Sequence, residues 1–510
     1  MSGPRFSLLI RGADLADGTG APLTAGQVGV TGGRLRVLPP DAPVRADRVL
    51  DLPGCVVAPG FIDAHTHSDL TTLDGTGDAA AHGAVLQGVT VEICGNCGSS
   101  AFPAPYPDFG AFARAHAEGG RANHLASLVG HGTLRGSVVG HDARAATAGE
   151  LAAMCEVLDR ALADGAAGLS TGLIYTPGSY ADTAEVTALA AVAAAHRKPY
   201  VTHLRDEMSG VEAALEEAVR IARDSGAPLH VSHHKTAGRD GWGGTERTLP
   251  RLHALRAEGM DVTCDVYPYT AGSTGLAAML PPWAHDGGPR RLLERLRDAG
   301  QRERMRAAIA DGVPGWENTV GNGGWDRISV AGAARHPELQ GRTVADIASA
   351  RGADAIDVVA ELLLAEEGDV TIISHSMRED DVRRVLAAPF AMIGSDGVPK
   401  PGLPHPRWAG TFARVLGHYG RELGLLALPE AVHKMTGATA ARFGLTGRGV
   451  LRDGGHADLV VFDPAVIADR ATFTEPLLAP SGVRLVAVAG EVVVEDGETT
   501  SARPGRVIPC

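Results

Sequence analysis

Residues 60–69 read GFIDAHTHSD, directly after the apolar run CVVAP at 55–59. The joined run CVVAPGFIDA has the composition of a buried strand ending at His65. Side chains alternate along a strand, so His65 and His67 lie on one face. Two imidazoles on one face at a strand's C-terminal end can bind one divalent metal ion together. A solvated loop pair needs no such explanation, so the rest of the chain must supply the other ligands.

Outward from this strand, to about residue 446, short apolar segments alternate with helical ones. Strand candidates fall at 58–64, 89–94, 124–130, 167–171, 199–204, 228–233, 261–267, 370–375 and 391–395. Several precede alanine-rich helical stretches such as TAGELAAMCEVLDRALADGA (147–166) and GVEAALEEAVRIARDSG (210–226). The alternation predicts a parallel sheet with crossover helices, and the count predicts a TIM-type (β/α)8 barrel over 58–446. Nine candidates compete for eight places, so one is misassigned or belongs to an insertion. The stretch from about 275 to 345 lacks the rhythm and is rich in Gly, Pro, Trp and Arg, which predicts an inserted subdomain or lid at the barrel mouth.

Residues 1–57 and 447–510 look different. Both carry short strand-like pieces split by turn residues, such as GQVGVTGGRLRVL (26–38) and GVRLVAVAGEVVVEDGE (482–498). Neither end has many strands alone, so the two ends together predict one small β-sandwich domain.

The chain has 510 residues, 44% hydrophobic and 21% charged, enough for a large domain plus a small one. A net charge of −13 argues against nucleic acid as a partner, because phosphate neutralisation needs basic patches. A small anionic substrate remains compatible with a locally cationic pocket. The N-terminal apolar run is too short for a signal peptide, and no segment reaches the roughly 18 apolar residues of a spanning helix. The expectation is a cytoplasmic protein with no membrane partner. Six cysteines (55, 94, 97, 155, 264, 510) in so long a chain read as reduced thiols rather than a disulfide framework.

In such a barrel the working residues sit at the C-terminal ends of strands. Those ends carry His65 and His67, Cys94 and Cys97 in VEICGNCGSS, His203 in VTHLRDE, His233, His234 and Lys235 in HVSHHK, and Asp396 in MIGSDG. The C-x-x-C alone reads as a redox pair, half a zinc knuckle or a single-cysteine ligand; no second C-x-x-C completes a structural zinc site. Singly, each histidine reads equally well as core or loop, and Asp396 as a turn cap. Their shared location makes them a set. The set implies hydrolysis at one or two zinc ions, with Cys97 as thiolate ligand and Asp396 moving the proton from water to the leaving nitrogen.

The motifs GNCG, STGLIY, THLRDE, SHHK, YPYTAGST, SDG and HPRWAGTFARVLGHY, in this order, resemble those of the amidohydrolase superfamily and, within it, the N-acyl-D-amino-acid deacylases. The resemblance covers nearly the whole chain. It implies a tight zinc on Cys97, His203 and His233, with Cys97 in place of the carboxylated lysine usual in the superfamily, and a second, weaker site at His65 and His67. It implies Asp396 as catalytic base and Lys235, Tyr267 and Arg407 as the clamp for the substrate's α-carboxylate, with Tyr175 facing the pocket. The expected substrate is a small anionic N-acyl-D-amino acid. Three points blur the pattern: Cys94 stands where an apolar residue is expected, Tyr267 and Tyr269 compete for one inward position, and VTIISHSMREDD places His375 at an expected aromatic strand end. The alternatives are a cyclic-amide hydrolase of the hydantoinase or dihydroorotase kind, a deacylase of a larger acylated natural product, and a non-catalytic scaffold.

Overall fold

Eight short parallel strands, each buried along its whole length, surround the centre of the computed structural model, which describes residues 5–71, 82–398 and 400–510. They are β1 (Phe61–Asp63), β2 (Val89–Cys94), β3 (His124–Ser127, continued as Val129–Gly130), β4 (Leu169–Gly172), β5 (Tyr200–His203), β6 (Leu229–Val231), β7 (Val262–Val266) and β8 (Ala391–Ile393). Each pairs in parallel with the next in sequence. The ring closes where Ala64 N donates to Ile393 O at 3.1 Å and where Thr66 bridges Gly397 in parallel. The apolar runs lack strict alternation because helices cover the strands' outer faces.

The crossover helices follow local rules. Ala148–Ala163 starts at a capping box in which Thr147 and Glu150 satisfy each other's backbone amides. Val211–Ser225 buries Val211, Ala214, Leu215, Ala218 and Ala222, the spacing of one helical face, and stops at left-handed Gly226.

The ninth strand candidate, 370–375, lies outside the barrel. Thr371–Ser374 is the middle strand of a three-stranded antiparallel sheet with Gly272–Gly275 and Ile328–Gly332, inserted between β7 and β8. A central strand covered on its faces shows the same unbroken apolar run as a barrel strand, which is why the two look alike in sequence. The insertion packs a hydrophobic cluster of its own, including Leu276, Leu292, Met305, Ile328 and Leu362.

Both chain ends meet in one β-sandwich. Val56–Pro59 pairs antiparallel with Leu459–Phe462 inside a seven-stranded sheet, and a four-stranded sheet from residues 5–51 packs against it through Leu8, Val28, Val57, Leu459 and Leu485. Phe61 joins the layers: its ring stacks on Phe412 at 5.8 Å and tilts against Phe462 at 6.0 Å. Truncating this fully buried ring in Phe61→Ala is expected to cost about 3–5 kcal/mol, read as a lower denaturant midpoint. A loss under ~1 kcal/mol would show that the junction repacks without it.

Candidate active site

The C-terminal strand ends bring the predicted donors together. Cys97 Sγ lies 3.3 Å from His65 Nε2 and 3.3 Å from His233 Nε2, and His203 Nδ1 lies 2.8 Å from His233 Nε2. His67 Nε2 is 3.2 Å and His65 Nε2 3.5 Å from Asp396 Oδ1. Three overlapping groups, His65/Cys97/His233, His65/His67/Asp396 and His203/Glu207/His233, each gather their donor atoms within 4.8 Å.

Backbone conformation aims several of these groups. Cys97, His233 and Asp396 all have positive φ (52°, 33° and 51°), three of only seven such non-glycine residues among those described. Left-handed backbone costs such residues about 1–3 kcal/mol and persists where the surroundings over-determine it. Two glycines permit the close approach. A Cβ on Gly394 would meet His65 Cβ at 2.7 Å, and one on Gly172 would meet Cys97 O at 2.2 Å.

The electrostatics show a cluster that demands positive charge. Burial opposes ionisation of the Cys97 thiol, but His65 and His233 outweigh it and hold its pKa well below the usual thiol value. Burial likewise disfavours charged Asp396, yet Arg407 and His65 keep it ionised. His67, although buried, is held up to about 9 by Asp396 and Cys97. Protons thus collect where a divalent cation would displace them. His203 Nε2 is buried and makes no hydrogen bond among the described residues, its contact with Glu207 Oε2 at 3.4 Å being an ion-pair contact only. A thiolate, four imidazoles and a carboxylate suit zinc better than a hard cation.

Two carboxylates with no role assigned from sequence hold the histidines. Asp265 Oδ2 lies 2.9 Å from His230 Nε2 and 3.4 Å from His65 Nδ1, while its Oδ1 accepts from His233 N at 2.9 Å. This orients His65 so that Nε2 faces the cluster. Glu207 lies 3.1 Å from His233 Nδ1 through Oε1 and, through Oε2, 3.4 Å from His203 Nε2 and 2.7 Å from Lys235 Nζ. Both sit inside motifs read for their histidine or tyrosine (THLRDE, DVYPY), and their partners are distant in sequence.

A cavity of about 350 Å³ opens over the cluster, lined by Tyr175, Lys235, Tyr267 and insertion residues including Met279 and Trp316. Tyr267 lines it. Tyr269 instead packs against His405 at 5.2 Å and under Arg414 at 5.0 Å. Tyr175 OH accepts from Thr274 Oγ1 at 3.2 Å. Arg407, fully buried, sits 4.6 Å over the Tyr267 ring with Nη1 2.9 Å from Asp396 Oδ2, and its Nε has no hydrogen-bond partner among the described residues. Cys94 points away: its thiol contacts Ala126 O at 3.6 Å, and burial raises its pKa well above normal. Ser374 and Ser376 face the cavity, while the His375 ring packs on Phe473 at 5.2 Å.

A metal-binding hydrolytic centre at the mouth of a parallel barrel is the class this fold and site define. The sequence pattern of the amidohydrolase family matches residues 48–494, and the chain belongs to that family. It is 39% identical to a D-aminoacylase of Alcaligenes xylosoxydans xylosoxydans over 99% of this chain and 97% of the relative. It is 37% identical to an N-acyl-D-glutamate deacylase of the same organism, over 99% of this chain and 96% of the relative. Among solved structures, an N-acyl-D-glutamate deacylase from Bordetella bronchiseptica, complexed with zinc and a phosphonate mimic of the tetrahedral intermediate, matches with a TM-score of 0.85 at 36% identity, covering 99% of this chain and all of the other.

Proposed function

We propose that this chain is a zinc-dependent N-acyl-D-amino-acid deacylase, releasing a carboxylate and a free D-amino acid. The observation that carries the reading is the convergence of Cys97, His65, His67, His203, His233 and Asp396 in one cluster beneath a cavity lined by Tyr267, with Arg407 paired to Asp396 and stacked on the Tyr267 ring. Cys97, His203 and His233 would hold the tighter zinc, and His65 and His67, with Asp396 in reach, a weaker second one. Bound zinc supplies polarisation of the acyl carbonyl and acidification of water.

The chain's own residues do the rest. Tyr267 at the cavity wall, with Arg407 stacked on its ring, is assigned to the substrate's α-carboxylate. Lys235 adds charge, though Glu207 partly neutralises it. The ionised Asp396 takes a proton from the attacking water and returns it to the leaving nitrogen as the C–N bond breaks. β4 reads Leu-Ser-Thr-Gly and brings no bridging lysine, which counts against a cyclic-amide hydrolase. Free thiols at all six cysteines fit a cytoplasmic location. We also divide the chain into a barrel at 58–446, with its insertion, and a sandwich built from 1–57 and 447–510.

The test is the zinc content of the purified protein together with hydrolysis of N-acetyl-D- and N-acetyl-L-methionine. Zinc with D-selective cleavage supports the proposal; zinc with neither enantiomer cleaved calls for a different amide. Arg407→Lys keeps the charge but loses the fork, and is expected to lower kcat/KM about 10- to 100-fold, mostly through KM, as for a lost charge-assisted hydrogen bond. An unchanged KM would take Arg407 out of the carboxylate clamp.

A further inference from the structure

We propose that His230 is a positioning residue of the metal centre: through Asp265 it aims His65, and so sets the affinity of the weaker second zinc site. The proposal rests on the reading of two metal sites given above. His230 itself is in none of the three donor groups and does not line the cavity.

The interior of a parallel barrel is ordinarily filled by branched apolar side chains. Here Ile62, Val91, Ile93, Leu128, Val201 and Met392 fill much of it. β6 and β7 break the pattern. On β6, Leu229 and Val231 pack outward among the helices, which turns His230 inward. On β7, Val262, Cys264 and Val266 pack outward, which turns Thr263 and Asp265 inward. His230 and Asp265 are fully buried, and the His230 ring meets Phe443 of the interior core at 5.5 Å. An imidazole and a carboxylate are costly in such a place unless hydrogen-bonded.

They are bonded at both ends. His230 Nδ1 lies 2.7 Å from Thr263 Oγ1, and Nε2 lies 2.9 Å from Asp265 Oδ2. Burial pushes the pKa of His230 below its ordinary value, so the ring is neutral and carries one proton. That proton sits on Nε2, because a bare nitrogen there would face the lone pairs of the carboxylate. Thr263 then donates its hydroxyl proton to Nδ1, which fixes the tautomer. Asp265 is thereby anchored twice, at Oδ1 by His233 N at 2.9 Å and at Oδ2 by His230. His65 Nδ1 meets this held carboxylate at 3.4 Å, and its Nε2 is left facing Cys97 and Asp396. Without His230, Asp265 loses one anchor and can turn away from His65.

The test measures zinc binding and not turnover. Zinc is titrated into the metal-free protein in competition with a chromophoric chelator, which separates a tight site from a weaker one. His230→Leu keeps an apolar volume and removes both ring nitrogens, while His230→Gln returns an N–H that can reach Asp265. The leucine variant is expected to weaken the second site about 10- to 100-fold, the usual cost of losing an outer partner of a ligand, and to leave the tight site unchanged. The glutamine variant is expected to recover most of the loss. An unchanged second site in the leucine variant overturns the proposal. Equal losses at both sites, or a glutamine variant no better than the leucine one, overturn it as well, because general damage to the fold would act in that way. A wild type without a second zinc site overturns the two-site reading and the proposal with it, and shows this before any variant is made. If His230→Leu does not fold, Thr263→Val decides, since it removes only the hydroxyl that fixes the tautomer. It is expected to weaken the second site selectively, and an unchanged second site there overturns the proposal.

Discussion

Asp396→Asn is expected to retain its zinc and lose about 10²–10⁴-fold in kcat, the range over which a positioned general base contributes. Asparagine fills the same volume and can still accept hydrogen bonds, so His67 and His65 keep a neighbour at Oδ1. What disappears is the ionised group that Arg407 and His65 hold deprotonated against the cost of burial. Arg407 would also lose its charged partner at 2.9 Å, so the variant's folding midpoint should be measured beside its rate. A folded, zinc-containing variant with wild-type turnover would remove Asp396 from the chemistry.

The second large effect is expected at Cys97. Its sulfur contacts two of the histidines, and the residues around it favour the thiolate. Cys97→Ala is expected to drop bound zinc to background after dialysis. It should also lower kcat/KM by about three orders of magnitude, the scale on which electrophilic stabilisation is felt. Cys94→Ala serves as the comparison, because that thiol is neutral, buried and turned toward Ala126. Zinc lost from the Cys94 variant and kept by the Cys97 variant would reverse the assignment of the ligand. Removing metal from the wild type with a chelator should abolish turnover, and zinc alone should restore it.

Much of the site was legible because its chemistry lies in residue types that the barrel forces to one end. His65, His67, Cys97, His203, His233 and Asp396 each come at or just after the end of an apolar run, and parallel strands deliver their C-terminal residues to one rim. Asp265 and Glu207 carried no comparable signal. Carboxylates are common after strands, and nothing local says that Asp265 will meet His65, whose partner atom lies across the barrel. The cavity residues Met279 and Trp316 were hidden for another reason: they sit in the 275–345 stretch, where no hydrophobic period fixes a register. The 370–375 run looked like a ninth barrel strand because a covered central strand is as unbroken in apolar residues as a barrel strand, although its partners at 272–275 and 328–332 run antiparallel to it. The choice between Tyr267 and Tyr269 needed the packing of His405 and Arg414, which no alternation rule supplies.

The left-handed backbone at Cys97, His233 and Asp396 bears on anyone who would graft this centre onto another scaffold. Copying the side-chain identities onto regular strand ends would point the sulfur, the imidazole and the carboxylate along the wrong vectors. The graft must carry the main-chain bends as well, with the glycines at 172 and 394 that make room for them. Transplanted without those bends, the residues would form a set of ligands with no common focus.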